Sequence, residues 1–280
     1  MPHSAHIDSM LNAPITNQGM DVIIIVANSP SQEHYWEERL EMSRGQIIQN
    51  SALLIVTYED WKEGAAGNGL GTLYAWQKAC TKALEVHSVN LTKALLEGSS
   101  IALYHTAGKG TRLSPLTAKE HNNKSAVQVP GELFLNGRSH PLSLLEAVIR
   151  QTALYAPIRK GRLSVFWGDQ IFIPSILDKK ASFSHIDILT QSISLPTEEK
   201  WNEKNLSQYG LIFKEKESSY KQAEKLSYHE FCQLGVENLA ISLGSFSLSP
   251  QILTAFLELF SKELSAKSSM MNSDLDWWMP

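Results

Sequence analysis

This chain of 280 residues has few cysteines, no long apolar run and no excess of positive charge. Its two cysteines, Cys80 and Cys232, lie far apart and match no metal-binding or redox spacing, so we interpret them as inert thiols in a reducing compartment. The apolar run from Val22 to Ala27 is far too short to cross a bilayer, and the polar stretch before it has no segment of signal-peptide length. These absences predict a cytoplasmic protein with no membrane partner.

The net charge of the chain bears on which kinds of partner it can bind. A formal net charge of −4 lacks the electrostatic signature of a nucleic-acid-binding protein, although it leaves room for a local basic pocket. Hydrophobic residues make up 43% of the chain and charged residues 19%, which is typical of a globular protein with a sizeable core. We therefore expect no nucleic-acid partner, and the sequence does not define the oligomeric state.

Apolar strands alternate with helical segments through the first 170 residues. Continuous runs rich in β-branched residues are typical of strands buried on both faces of a sheet. Such strands are expected at 22–27, 52–57, 101–106 and 163–167. Helices are expected at 32–43, 72–85, 90–97 and 141–153, with Ser31 capping the first and Pro141 in the first turn of the last. This alternation predicts an α/β fold with a Rossmann-like, mostly parallel central sheet flanked by helices.

The beginning and the second half of the chain are less regular. Residues 1–20 have the composition of a loose tail, and residues 21–280 are expected to form a single domain. Further elements are predicted with weaker patterns in the second half. They are strands at 187–190, 209–214 and 239–248, and an amphipathic helix at 251–264.

Two glycine-rich segments and one aspartate follow the predicted strands, at the edge where parallel sheets bind ligands. The segments are 64–71 and 107–112, and the aspartate is Asp169. Glycine lets backbone amides approach a phosphate closely, and Lys109, Arg112 and Lys124 add positive charge nearby. The pattern indicates a polyphosphate site.

Neither of two common phosphate motifs fits the second glycine segment. A P-loop needs a glycine where Leu103 stands and a serine or threonine after its lysine, but Gly110 follows Lys109. A dinucleotide fingerprint needs a third glycine where Leu113 stands. An ATPase of the P-loop type and a dehydrogenase are therefore not favoured.

The string Ala-Gly-Lys-Gly-Thr-Arg-Leu-Ser-Pro-Leu-Thr at 107–117 resembles the signature of the sugar nucleotidyltransferase (nucleotide-sugar pyrophosphorylase) family. The core Gly-x-Gly-Thr-Arg-Leu-x-Pro-Leu-Thr is matched without a break. In that family the loop wraps a nucleoside triphosphate, and its arginine, Arg112 in this chain, contacts the departing pyrophosphate. The resemblance implies nucleotide contacts from Ala107, Gly108, Lys109, Gly110, Thr111, Gly69, Gly71, Thr72 and Gly168.

The resemblance also implies a magnesium site and a second phosphate-binding cation. The family's Gly-Asp, whose aspartate helps to hold Mg²⁺, is matched by Gly168-Asp169. A second carboxylate is expected near the end of the domain, at Asp276 in preference to Asp274. The family's Pro-Lys is replaced by Asn123-Lys124, which makes Lys124 the matching lysine. The implied catalytic residues are thus Arg112, Lys124 and Asp169, with Mg²⁺ as cofactor on Asp169 and Asp276.

Short matches later in the chain resemble the sugar-binding segments of the family. These are Tyr-Gly at 209–210, Glu-Lys at 224–225 and Glu-Asn at 237–238. They imply that the sugar phosphate is bound by Gly210, Glu224, Lys225, Glu237 and Asn238. The single domain would then comprise a nucleotide-binding half at 21–178 and a sugar-binding half at 179–280.

The order of the motifs differs from that of the family. Leu-Gly-Thr-Leu-Tyr-Ala at 70–75 resembles an element that normally follows the signature loop, yet here it precedes it. Either 21–83 has moved by circular permutation, a layout similar to the fucose-1-phosphate guanylyltransferase group, or a pair of strands was added in front. Permutation predicts that the strands at 101 and 163 are neighbours, with those at 22 and 52 continuing outward from the strand at 101.

The expected activity is transfer of a nucleotidyl group from a nucleoside triphosphate to a sugar 1-phosphate, with release of pyrophosphate. Two alternatives stay open. A metal-dependent glycosyltransferase would use an Asp-x-Asp motif, whose spacing occurs at 274–276, and a catalytically silent protein would bind a nucleotide or nucleotide-sugar without turnover. A structural scaffold is disfavoured because it needs no cationic glycine loop. The base and the sugar are not predicted.

Overall fold

A computed structural model describes residues 19–61, 66–106, 123–171, 184–214, 220–236 and 238–268. Within these ranges the chain forms one mixed sheet of eight strands and a separate two-stranded hairpin. The strands are β1 (Val22–Ala27), β2 (Leu53–Tyr58), β3 (Ser100–His105), β4 (Gln128–Leu135), β5 (Arg138–Ser143), β6 (Arg162–Trp167), β7 (Ile186–Ile193), β8 (Gly210–Lys214), β9 (Tyr220–Glu224) and β10 (Leu239–Leu248). The helices are α1 (Pro30–Met42), α2 (Gly67–His87), α3 (Leu91–Leu96), α4 (Leu144–Thr152), α5 (Glu198–Glu203), α6 (Tyr228–Gln233), α7 (Pro250–Leu259) and α8 (Ser261–Ala266).

The core of the sheet is parallel and has the order β2-β1-β3-β6. Both faces of this core are buried, and its strands are therefore continuous apolar runs in the sequence. Helices α1 and α4 pack on one face, whereas α2, α3 and α7 pack on the other. The α/β class and the mostly parallel core predicted from the sequence are confirmed, as is the predicted adjacency of these four strands.

Strand β10 joins the parallel core to the rest of the sheet. Its second half pairs antiparallel with β6, its first half pairs with β8, and β7 follows its other side. The strand changes register at a bulge that contains Gly244, whose φ of +73° suits glycine. Because β6 and β8 share one side of β10, the start of β8 lies near the carboxyl end of β6. A small core around Trp201 packs beneath β8 and β9.

Helix α2 begins earlier than predicted. The segment 67–71 was expected to be loop, but Gly67 already starts the helix. The carboxylate of Glu59 accepts a hydrogen bond from the Ala66 amide at 2.6 Å and so satisfies one donor at the helix start. Burial of this turn against the sheet outweighs the helix-breaking tendency of glycine, about 1 kcal/mol per residue.

The segment around Pro141 was also predicted wrongly. Pro141 lies in β5 of the hairpin, and α4 starts three residues later at Leu144. Ser143 and Glu146 form a capping box that fixes this start. A two-stranded hairpin tolerates proline because its strands have free edges.

Smaller corrections concern helix ends. Ser29, not Ser31, caps α1, and its side chain accepts a hydrogen bond from the Gln32 amide. The helix predicted at 251–264 is divided into α7 and α8 at Phe260. Of the helices in the described part of the chain, none combines the length and the apolarity that a membrane crossing needs.

Candidate functional site

Lys124 and Asp169 meet at the carboxyl edge of the parallel strands. Lys124 Nζ lies 3.2 Å from Asp169 Oδ2, and about a third of each side chain is exposed. Asp169 follows the end of β6, and Lys124 opens a short 3-10 helix, Lys124–Ala126. The buried Asn123, which stands where the family has proline, caps that helix by accepting a hydrogen bond from the Ser125 amide at 3.2 Å. The structure thus brings together a predicted cation and a predicted metal carboxylate.

Gly168 allows these two segments to approach each other. A Cβ atom at this position would lie 3.0 Å from Leu145 Cδ1 and Ser125 Oγ, and 3.1 Å from Thr106 Cγ2. The Gly168 amide also donates a hydrogen bond to the His105 carbonyl at 2.8 Å, which extends the β3–β6 ladder by one residue. Packing alone therefore requires glycine directly before Asp169.

The substitution Gly168→Ala should lower the free energy of unfolding by about 1–3 kcal/mol, because the added methyl overpacks a site bounded by three different segments. Urea unfolding of both proteins measures this loss. Gly71→Ala is the matched control, since its Cβ would have no neighbour closer than 3.9 Å and alanine favours a helix. An equal loss in both variants would contradict the packing argument.

The amino end of α2 lies against the same edge through Thr72 and His105. Thr72 Oγ1 donates a hydrogen bond to the Asn68 carbonyl at 2.7 Å and lies 2.8 Å from His105 Nε2. Gly69 and Gly71, predicted to be loop residues of the nucleotide site, are buried inside the helix together with Thr72. They are close-packing positions of α2, and Gly71 lies beside the imidazole.

His105 is a residue of this edge that sequence reasoning missed. It ends β3, is 6% exposed, and its ring stacks on Trp167 with centroids 5.0 Å apart. Burial lowers the pKa of His105 to about 4, so the imidazole is neutral near pH 7. Its signal in the sequence was a polar residue at the end of an apolar strand, directly before a glycine-rich loop.

Three of the predicted sugar-phosphate residues form a second group. Gly210 pairs with Glu224 across β8 and β9, and Gln222 Nε2 donates a hydrogen bond to the Glu224 carboxylate above Gly210. Lys225 follows with a left-handed φ of +52°, and its amide donates to the Tyr209 carbonyl at 3.3 Å. A non-glycine residue in this backbone region is uncommon. Asn238 is exposed and directly precedes β10.

The remaining predicted residues fall outside the described ranges. They are Ala107, Gly108, Lys109, Gly110, Thr111, Arg112, Glu237, Asp274 and Asp276. The chain enters the signature segment at Thr106, whose hydroxyl donates a hydrogen bond to the Val26 carbonyl at 2.8 Å. Thr106, the last described residue before that segment, lies beside Gly168 at the edge that holds Lys124 and Asp169.

Asp169 is the candidate ligand for Mg²⁺ at this edge. The described residues contain no group of three or more His, Cys, Asp or Glu side chains arranged to hold a metal ion. Magnesium in phosphate-transfer sites prefers one or two carboxylates together with phosphate oxygens and water. The partly exposed carboxylate of Asp169 fits such a sparse site.

Comparison of the chain with models of protein families, with curated proteins and with solved structures finds no match. The interpretation of the site therefore depends on its geometry and on the short motifs that meet there.

Proposed function

We propose that this protein is a sugar-1-phosphate nucleotidyltransferase, which transfers a nucleotidyl group from a nucleoside triphosphate to a sugar 1-phosphate and releases pyrophosphate. The observation that supports the proposal most is the pairing of Lys124 with Asp169 at 3.2 Å. The two residues match separate motifs of the nucleotidyltransferase signature and are 45 positions apart in the chain. They meet at the carboxyl edge of a parallel sheet, where α/β proteins bind their ligands.

The strand order supports a nucleotidyltransferase fold of the GT-A-like kind with a permuted chain. The strands that the described residues form between β3 and β6 are those of the β4–β5 hairpin, which lies outside the main sheet. The outer positions beside β3 are instead taken by β1 and β2, from the start of the domain. This is the arrangement expected if 21–83 had moved ahead of the signature loop.

The reaction would be an in-line displacement at phosphorus. An oxygen of the sugar 1-phosphate forms a bond to the α-phosphorus, and the bond from that phosphorus to the oxygen between the α- and β-phosphates breaks. That oxygen leaves as a terminal oxygen of pyrophosphate. The attacking phosphate is already ionised, so the protein contributes positioning and charge stabilisation. Lys124 and Arg112 would bind the departing pyrophosphate, and Lys225, Glu224 and Gly210 the sugar phosphate.

Asp169 and Asp276 would hold Mg²⁺ in this scheme, with phosphate oxygens and water completing its coordination. When bound, the ion supplies charge neutralisation on the phosphate oxygens. In the described state Lys124 neutralises Asp169, so a triphosphate would compete with the aspartate for the ammonium group.

A single nucleoside triphosphate, tested with Mg²⁺ in a thermal-shift screen of ATP, GTP, CTP, UTP and dTTP, should stabilise the protein. At about a hundred times its dissociation constant the ligand adds roughly 2.7 kcal/mol. Lys124→Met should weaken this effect, whereas Lys93→Met, which removes an exposed lysine of α3, should not. The absence of a shift with all five triphosphates at millimolar concentration would reject the proposal.

A pyrophosphate-release assay separates the enzyme from a silent binding protein. The triphosphate found in the screen is combined in turn with glucose, galactose, mannose and fucose 1-phosphates. Release with one of them supports the transferase, and binding without release from all four favours the silent nucleotide-binding protein.

A further inference from the structure

His105 contacts two parts of the candidate site, the amino end of α2 and the end of β6. Its Nε2 atom lies 2.8 Å from the Thr72 hydroxyl near the amino end of α2. Its ring stacks on Trp167, two residues before Asp169, and its carbonyl accepts the Gly168 amide at 2.8 Å. The backbone of His105 continues through Thr106 into the signature segment. One side chain therefore joins the helix of one motif to the strand end of another.

The direction of the hydrogen bonds follows from counting protons. The single hydroxyl proton of Thr72 goes to the Asn68 carbonyl, because a carbonyl oxygen can only accept. His105 Nε2 must then carry a proton and donate it to Thr72 Oγ1. The imidazole is neutral in this buried setting, so the donor in this contact is the N–H group of a neutral ring.

The hydrogen bond between His105 and Thr72, called the tie below, links β3 to α2. Neither element needs it in order to form. Helix α2 has its own start at Glu59 and Ala66, and β3 is fixed in the sheet by β1 and β6. An apolar side chain at position 105 would fill the space without defining where Thr72 lies. The polar pair therefore fixes the position of the amino end of α2 relative to the β3–β6 edge.

We propose that His105 is a positioning residue that aligns the Gly69–Thr72 turn of α2 with Gly168 and Asp169 for nucleotide binding. This inference rests on the proposed function and names a residue that the nucleotidyltransferase motifs do not include. Thr72 is its acceptor, and Trp167 holds the plane of its ring.

Three variants and a control test the tie itself by amide hydrogen exchange of residues 69–73. His105→Phe keeps a flat ring against Trp167 but loses the donor, Thr72→Val loses the acceptor, and His105→Gln places an amide N–H near the former Nε2. Exchange should rise about three- to tenfold in the first two, the effect of one lost hydrogen bond, and return towards wild type in the third. Thr81→Val is the matched control, because Thr81 bonds to the carbonyl four residues earlier on the exposed side of the same helix.

Binding of the nucleoside triphosphates in the presence of Mg²⁺ tests how the tie is used. The dissociation constant for the best triphosphate should rise in His105→Phe and in Thr72→Val. In the double variant it should be no higher than in the single variant that binds more weakly. The KM for the sugar 1-phosphate should stay within about twofold of wild type, a split that a general loss of folding would not produce.

The outcomes separate the two proposals. Three results would each overturn the role of His105. The first is unchanged amide exchange in His105→Phe and Thr72→Val, and the second is exchange in His105→Gln that stays as fast as in His105→Phe. The third is faster exchange with an unaltered affinity for the triphosphate. A wild-type chain that binds none of the five triphosphates would overturn the proposed function and the nucleotide role of His105 with it. The exchange measurement would still decide whether the tie exists.

Discussion

Replacing Asp169 by asparagine should reduce nucleotidyl transfer by at least about a hundredfold, the scale observed when one preorganised charge-stabilising group is removed. The variant keeps the size of the side chain but loses the negative charge that is proposed to hold Mg²⁺. The fold should persist, because the ion pair with Lys124 is partly exposed and such pairs contribute about 0–1 kcal/mol. Pyrophosphate release and the melting temperature, measured on the same preparation, check both statements.

Glu97→Gln is the control for this experiment, since Glu97 is an exposed carboxylate paired only with Lys93 among the described residues. It should leave both activity and melting temperature unchanged. Near-normal transfer by Asp169→Asn would remove Asp169 from the metal site, and loss of transfer together with a collapse of the melting temperature would indicate a structural defect instead.

The substitution Arg39→Met should lower the free energy of unfolding by about 3–5 kcal/mol, because it leaves a buried carboxylate without its countercharge. Arg39 on α1 makes two hydrogen bonds to Glu146 on α4, at 2.7 and 3.0 Å, and a third to the Pro141 carbonyl at 2.9 Å. The Glu146 side chain is fully buried. Urea unfolding at pH 7 measures the loss.

A double variant identifies the cause of that loss. The double variant Arg39→Met/Glu146→Leu should recover much of the loss, since it leaves no buried charge. A single-variant loss below 1 kcal/mol would mean that the pair contributes no more than a surface ion pair.

The parallel core was predictable because its strands are buried on both faces. The run at 22–27 coincides with β1. The predicted strands 52–57 and 101–106 are each shifted by one residue from β2 and β3, and 163–167 starts one residue after β6. A short continuous apolar run rich in β-branched residues indicates a strand buried on both faces. The hairpin β4–β5, the edge strand β9 and the short helices α5 and α6 were not predicted, since partly exposed and short elements carry little pattern.

The residues of the candidate site that belong to a sequence motif were predictable. Those that depend on contacts between residues far apart in the chain were not. Lys124 and Asp169 were chosen from separate motifs, and they lie in contact. The start of α2 was missed because the glycines at 67–71 locally favour a loop, while the Glu59 carboxylate and burial favour a helix. His105 was missed because its partner Thr72 is 33 positions away.

The order of the strands also has a consequence for synthesis on the ribosome. Strands β2 and β1, which lie towards the edge of the sheet, leave the exit tunnel before β3, and β3 finds β1 as its first neighbour. Its other neighbour, β6, follows after about 55 more residues, or roughly 3–11 seconds at ordinary elongation rates. During that interval the nascent three-stranded sheet presents the apolar strand β3 as an open edge, which favours pairing with other chains. Chaperone binding to the emerging polypeptide would matter most between the appearance of His105 and that of Trp167.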